Sequence, residues 1–167
     1  VEEDVSINGE EAKCSIQSAL FLNSKSHQEI KSQLNHLKPN CISFQKIKNV
    51  LNKNCKGIYQ GKIYVKDVAQ KTDAYQLSKA LLLHDSSEFN AKPELEIYAD
   101  DVKCSHGSTS GSINEDSIFY LMTRGLPKVD AVNLLTKAFL YEISNSIKNK
   151  EIKKFVEKNL DRQIYEH

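Results

Sequence analysis

KPELEIYADDVKCSHG, residues Lys92–Gly107, joins a strand pattern to the constellation of side chains in this chain most able to do chemistry. Leu95 and Ile97 alternate with Glu94 and Glu96, the period of two that marks extended backbone. If that strand continues, Cys104 and His106 lie two residues apart and face the same side. A thiolate and an imidazole are both good ligands for iron or zinc. Two ligands do not close a metal site, which normally takes three or four. The chain has no second C-x-H and no C-x-x-C. A metal or cluster here would draw its remaining ligands from another chain or from a part of the protein outside this sequence. A Cys beside a His is also the pair of many nucleophilic enzymes, but Gly57, Gly61 and Gly107 make no recognisable nucleophile or oxyanion motif. The plainest reading is two structural residues at a strand end.

Upstream, the same alternation recurs. Ala12, Cys14, Ile16, Leu20 and Leu22 share one face, opposite Lys13, Ser15, Gln17 and Asn23. Further strand-like stretches lie at Ile30–Leu34, Ile42–Phe44, Ile58–Val65 and Leu81–Leu83. Turn-forming residues separate them: Asn8-Gly9, Lys38-Pro39-Asn40, Asn52-Lys53-Asn54 and Asp85-Ser86-Ser87. Evenly spaced short strands suggest a sandwich, a barrel or a solenoid, and periodicity does not choose among the three. Inward positions are expected at Ile16, Leu22, Ile63, Val65, Leu95 and Ile97. His27 and His36 read as surface or edge residues, and Cys14, Cys41 and Cys55 as small buried side chains.

Downstream of Gly111 the period becomes helical. Asn114 is placed as an N-cap with Glu115 and Asp116 in the first turn. Ile118, Leu121 and Met122 share a face, and Gly125 suits a helix C-terminus. Pro127 opens a second helix in which Ala131, Leu134, Leu135, Ala138, Phe139, Glu142 and Ile143 follow helical spacing, all apolar but Glu142. A third carries Ile152, Phe155, Val156 and Leu160 opposite Lys150, Lys153, Lys154 and Lys158. That lysine run reads as a solvated face.

The 167 residues are 40% apolar and 27% charged, an ordinary globular composition with a core. A net charge of +1 gives no general attraction to nucleic acid or anionic membrane. The longest apolar runs, such as Ala80–Leu83, are too short to cross a bilayer. The start, VEEDVSINGEE, lacks the features of a signal peptide, and a start without Met inside a strand-like pattern predicts a fragment or a processed piece. Without a secretion signal the four cysteines are expected to be reduced thiols in the cytoplasm.

KPELEIYADDVKCSHG is similar to the signature block of the SufB/SufD family. Ser112–Gly125, SINEDSIFYLMTRG, resembles that family's helix reading roughly D-x-x-x-FYL-x-SRG. Gln60-Gly61-Lys62 with Val65 resembles its FNG-x-I-x-V block, and Lys71-Thr72-Asp73-Ala74 its KTDA block. Cys41-Ile42-Ser43-Phe44-Gln45 is similar to its C-x-S-x-Q block. The matches run in order from about Ser6 to Glu142. Lys103-Cys104-Ser105-His106-Gly107 looks like the SufD branch rather than the SufB branch, which usually carries an EHEA-like sequence there. The family's GATVG is Gly107-Ser108-Thr109-Ser110-Gly111 here, and its SRG is Thr123-Arg124-Gly125, with the glycines kept.

The resemblance implies a right-handed parallel β-helix over residues 1–110, the C-terminal part of a longer core, followed by a helical domain over 111–167. It implies a non-catalytic scaffold for iron–sulfur cluster assembly that pairs with SufB through the β-helix and with the ATPase SufC through the helical region. A nascent iron–sulfur cluster at the SufB interface would involve Cys104 and His106, with further ligands in trans. Glu115, Asp116, Arg124 and Lys128 are the polar residues expected to face SufC. In the absence of SufB, two copies are expected to pair. The alternatives are a β-helix enzyme acting on polysaccharide and a Cys–His dyad hydrolase. The former needs a carboxylate cluster, and the adjacent Asp100-Asp101 is expected to put its two side chains on opposite faces of a strand.

Overall fold

Eight strands wind around a shared interior in the computed structural model, which describes residues 1–165. They are β1 (Glu2–Ile7), β2 (Lys13–Leu22), β3 (His27–His36), β4 (Ile42–Leu51), β5 (Lys56–Val65), β6 (Asp73–Leu82), β7 (Glu88–Ile97) and β8 (Lys103–Ser112). Odd strands form one sheet in the order β1-β3-β5-β7, and even strands a second in the order β2-β4-β6-β8. Every pairing is parallel. Parallel neighbours two strands apart in sequence are the mark of a solenoid, so the fold is a parallel β-solenoid of about four turns.

The corners explain how the chain turns so regularly. Glu11, Asn40 and Lys71 occupy equivalent places just before β2, β4 and β6, each with φ between 57° and 60°. Glu11 N–H donates to the Pro39 carbonyl, Asn40 N–H to Gln70 and Lys71 N–H to Asp101, so each corner is bonded to the next rung. A left-handed residue at each of these positions reverses the chain within a few residues.

The interior is apolar at its ends and polar in the middle. Leu22, Leu51, Cys55 and Ala80 pack at one end, and Ile63, Val65, Ala69, Ala74 and Ala99 at the other. Between them lie buried Ser32, Gln45, Tyr59 and Gln76. Leu22, Ile63 and Val65 are inward and buried as expected. Ile16 and Leu95 are half-buried. Ile97 continues the column of buried Val65 but belongs to the last described rung, and is exposed because no described strand stacks beyond it. His36 corrects the surface reading. It is fully buried, shares a 2.8 Å hydrogen bond with Ser43 Oγ, and burial lowers its pKa to about 4. Cys41 and Cys55 are buried, Cys14 is half-buried, and all four thiols are free.

Three helices follow: α1 (Glu115–Thr123), α2 (Lys128–Ser144) and α3 (Lys150–Tyr165). Asn114 caps α1 by accepting from Ser117 N–H at 2.9 Å. β8 runs to Ser112, so the strands extend two residues past the expected boundary. α2 and α3 lie across the outer face of the even sheet. Leu140, Leu160 and Ile164 pack there on Val50, Ala19, Phe21, Leu81 and Leu83. The buried stripe of α2 is Ala131, Thr136, Leu140, Ile143 and Ser144, rotated from the one the spacing suggests, so Leu134 is exposed. Met122, Ile152 and Phe155, expected on apolar faces, are exposed as well.

Glu142, the polar member of the expected stripe, faces the sheet and pairs with Lys46 and Lys48. Lys48 also donates to the Phe139 carbonyl at 2.8 Å and lies 4.2 Å from the centre of the Phe139 ring. This polar clasp holds α2 over β4.

Candidate functional site

The strand through Leu95 and Ile97 does not run on to Cys104. The chain leaves β7, turns a corner over Tyr98–Val102, and enters β8 in the opposite sheet. Asp100 and Asp101 sit in that corner, both exposed, not on opposite faces of a strand. Asp101 is used by the turn: its N–H donates to Gln70 Oε1 at 2.9 Å and its carbonyl accepts from Lys71.

Cys104 and His106 share a face, as the spacing predicts, and register defines it. Cys104 aligns with Ala74 and through it with Ser43 and Cys14. His106 aligns with Gln76, then Gln45, then Ile16. Ala74, Ser43, Gln76 and Gln45 are buried, so both residues occupy inward positions of the solenoid. They are nevertheless accessible because β8 is the last strand of its sheet, and no described strand pairs with its outer edge or with that of β7.

The two differ in environment. Cys104 is half-buried against the cluster of Ile63, Val65, Ala69, Ala74 and Ala99. Burial pushes its thiol pKa up, with a hydrogen bond to the Ala74 backbone opposing. A raised thiol is a poor nucleophile in the isolated chain. His106 is exposed and makes no hydrogen bond among the described residues. Among the described residues no third His, Cys, Asp or Glu joins them in a group able to hold a metal. The pair is a thiol and an imidazole on one face of the last strand, too few donors by themselves to close a metal site.

The four polar residues expected on the helical surface are all exposed. Glu115 and Asp116 lie in the first turn of α1, where the helix dipole favours carboxylates. Arg124 follows α1, with its guanidinium 5.2 Å from the Tyr120 ring. Lys128 begins α2. Glu115 and Lys128 come together in one cleft with Leu82, His84 and Ile118, which Asp116 and Arg124 do not line. Sequence reasoning missed the apolar character of this surface. Phe119, Tyr120, Met122 and Val129 are all exposed, Phe119 and Val129 by more than two thirds. The signal was available: Ile118–Met122 is apolar at five successive positions, more than one helix face can bury.

Residues 1–139 match the family model described as SUF system FeS cluster assembly, SufBD core domain. The chain is 35% identical over 150 residues to the iron–sulfur cluster assembly protein SufD of Escherichia coli, covering 90% of this chain and 36% of that protein. It is 42% identical over 114 residues to an iron–sulfur cluster assembly SufBD family protein of Synechocystis, covering 68% of this chain and 25% of that one. Against SufD of Bacillus subtilis it is 30% identical over 115 residues, 69% of this chain and 26% of that protein. The chain thus spans about a third or less of these relatives. No helix among the described residues is long and apolar enough to cross a membrane.

Proposed function

The chain belongs to the SufBD core family of the SUF iron–sulfur cluster assembly system, and from that premise we propose that it is a non-catalytic scaffold whose open last rung contributes to a cluster-assembly interface. The observation that carries this is the placement of Cys104 and His106 at inward register positions of a strand with no described strand stacked beyond it. A partner chain laid against that end would cover both side chains, exclude water and bring the missing ligands. The partner is SufB, and the cargo is a nascent iron–sulfur cluster. His106 is the more accessible donor; Cys104 is held by its apolar neighbours and contributes less.

SufC is the proposed partner of the helical surface. Phe119, Tyr120, Met122 and Val129 are exposed on α1 and the start of α2, with Arg124 against the Tyr120 ring, and exposed aromatic side chains, Met and Arg are the residue types enriched at protein interfaces. The proposed compartment is the cytoplasm. A Cys–His hydrolase is disfavoured by the raised Cys104 thiol, and a polysaccharide-acting enzyme by the position of Asp100-Asp101 in an exposed corner rather than in a groove-lining carboxylate cluster.

The test is cluster content of the purified SufB–SufC–SufD complex carrying His106→Ala, alongside its subunit stoichiometry and melting temperature. Content should fall with assembly and stability retained, and Cys104→Ser should cost less. Normal content in His106→Ala, or a loss explained wholly by unfolding, would sink the ligand role.

A further inference from the structure

Gln76 is the register neighbour of His106 on β6, and its side chain is wholly buried. Neither its Oε1 nor its Nε2 has a hydrogen-bond partner. A buried carboxamide with both ends unsatisfied is rare in a folded protein and calls for an explanation.

The neighbours of Gln76 are already ordered into a directional chain. Ser32 Oγ donates to Gln45 Oε1 at 2.7 Å. Ser32 has one hydroxyl proton, so the Tyr59 hydroxyl, 3.1 Å away, donates to Ser32 Oγ. The Tyr59 oxygen is then left as an acceptor. A Cβ at Gly61 would overlap both Tyr59 Oη and Gln76 Nε2, so these two atoms share the space that glycine leaves open. The amide N–H of Gln76 is the donor suited to Tyr59. This ordering leaves Gln76 Oε1 as an acceptor, with two lone pairs, at the head of the chain. Behind it, one rung back, is the unpartnered Nε2 of Gln45. Ahead of it, one rung on and on the same face, is the imidazole of His106. Adjacent strands are about 4.8 Å apart, within reach of a glutamine side chain.

We propose that Gln76 is a positioning residue for His106: its Oε1 accepts the imidazole N–H that faces the interior, so that the outward ring nitrogen presents an unprotonated lone pair to the interface. A histidine that ligates a metal usually donates its other N–H in this way, which fixes both tautomer and ring orientation. Gln76 supplies the acceptor from inside the solenoid, where a partner chain does not reach. This inference rests on His106 as the ligand proposed above and adds how the chain prepares it.

The test is the tautomer ratio of His106 in the intact, nitrogen-15-labelled chain, read from its ring nitrogen shifts near pH 8, where an ordinary imidazole is neutral. In the wild type the tautomer protonated on the inward nitrogen should dominate. Gln76→Met removes the acceptor at similar volume and should shift the ratio about fivefold toward that of free imidazole, the effect of one hydrogen bond. Tyr59→Phe deletes only the hydroxyl suited to accept from the amide and should weaken the bias about twofold. A merely structural Gln76 would lower stability without moving the tautomer. An unchanged ratio in folded Gln76→Met overturns the proposal, and if that variant does not fold, an unchanged ratio in Tyr59→Phe does so. The readout is independent of cluster content. A shifted ratio beside normal cluster content in His106→Ala removes the ligand role but not the Gln76 contact, and the reverse result removes the contact alone.

Discussion

Glu142→Gln takes away the carboxylate that faces Lys46 and Lys48. Lys48 is 2% exposed, and its remaining partners would be the Phe139 carbonyl at 2.8 Å and the Phe139 ring at 4.2 Å. Removing one member of a buried ion pair costs about 3–5 kcal/mol, because the charge left behind is uncompensated. Glu142 itself is 49% exposed, so water reaches the vacated position, and the carbonyl still holds the ammonium. Discounted for that screening, the loss is about 2 kcal/mol. For a chain of this size that lowers the melting temperature by about 4–8 °C. Lys48→Met in the same background removes the stranded charge and should recover most of the loss, giving a coupling of about 1–2 kcal/mol in a double-mutant cycle. Hydrogen bonds from Lys46 and then Lys48 hold the Glu142 pKa at about 2, below its ordinary 4.5. Its contribution is therefore fully present above pH 4.5 and is lost as pH falls from there toward 2. Thermal unfolding of both single variants and the double, repeated from pH 7 to 3, checks each part. A Glu142→Gln variant within 0.5 kcal/mol of wild type (about the scatter of a neutral surface change), or one that Lys48→Met does not relieve, would refute the reasoning.

Gly61→Ala should cost about 1–3 kcal/mol by urea unfolding, because the added methyl meets the buried Gln76 amide and Tyr59 hydroxyl; a neutral result would mean this part of the interior is slack. His36 is held neutral by burial, with its pKa lowered from 6.5 to about 4, so its contribution to stability is intact above pH 6.5 and is lost as pH falls toward 4. A ring titrating near 6.5 by NMR would contradict its burial. The unpaired edge of the last rung should drive two copies of the isolated chain together, and sedimentation in which only monomer is present across the accessible concentrations would count against it.

The strands were legible from alternation, but the way they stack was not. In a solenoid the partner of a residue lies a full turn away, and nothing local encodes it. The column Ile16–Gln45–Gln76–His106 changes chemistry at every rung, so no repeat survives at the level of residue type. Polarity also misleads in the middle of the core. Gln45, Gln76, Ser43 and His36 look outward by composition and are buried, because the interior satisfies some of them through Ser32 and through one another. The shared face of Cys104 and His106 followed from their spacing, and the family from the block around them. Their exposure did not follow, since it depends on the absence of a further rung rather than on any neighbour in sequence. The α2 stripe was misread by about one position because Thr136 and Ser144 are buried in it and Leu134 is not.

β8 reads KCSHGSTSGS, a strand with two glycines, four serines and little apolar side chain to bury. Such a sequence has poor strand propensity of its own. It is extended because β6 offers ten residues of parallel register on one side. In stacked architectures each unit draws its stability from its neighbours, and a unit with one neighbour and a thin core contribution is the weakest. β8 is therefore expected to open before the inner strands of its sheet. Its amide protons should exchange with solvent ahead of those of β4 and β5, whose edges are paired on both sides. The strand that carries His106 is thus the most readily frayed of its sheet, and any surface that settles on its free edge gains the work of ordering it.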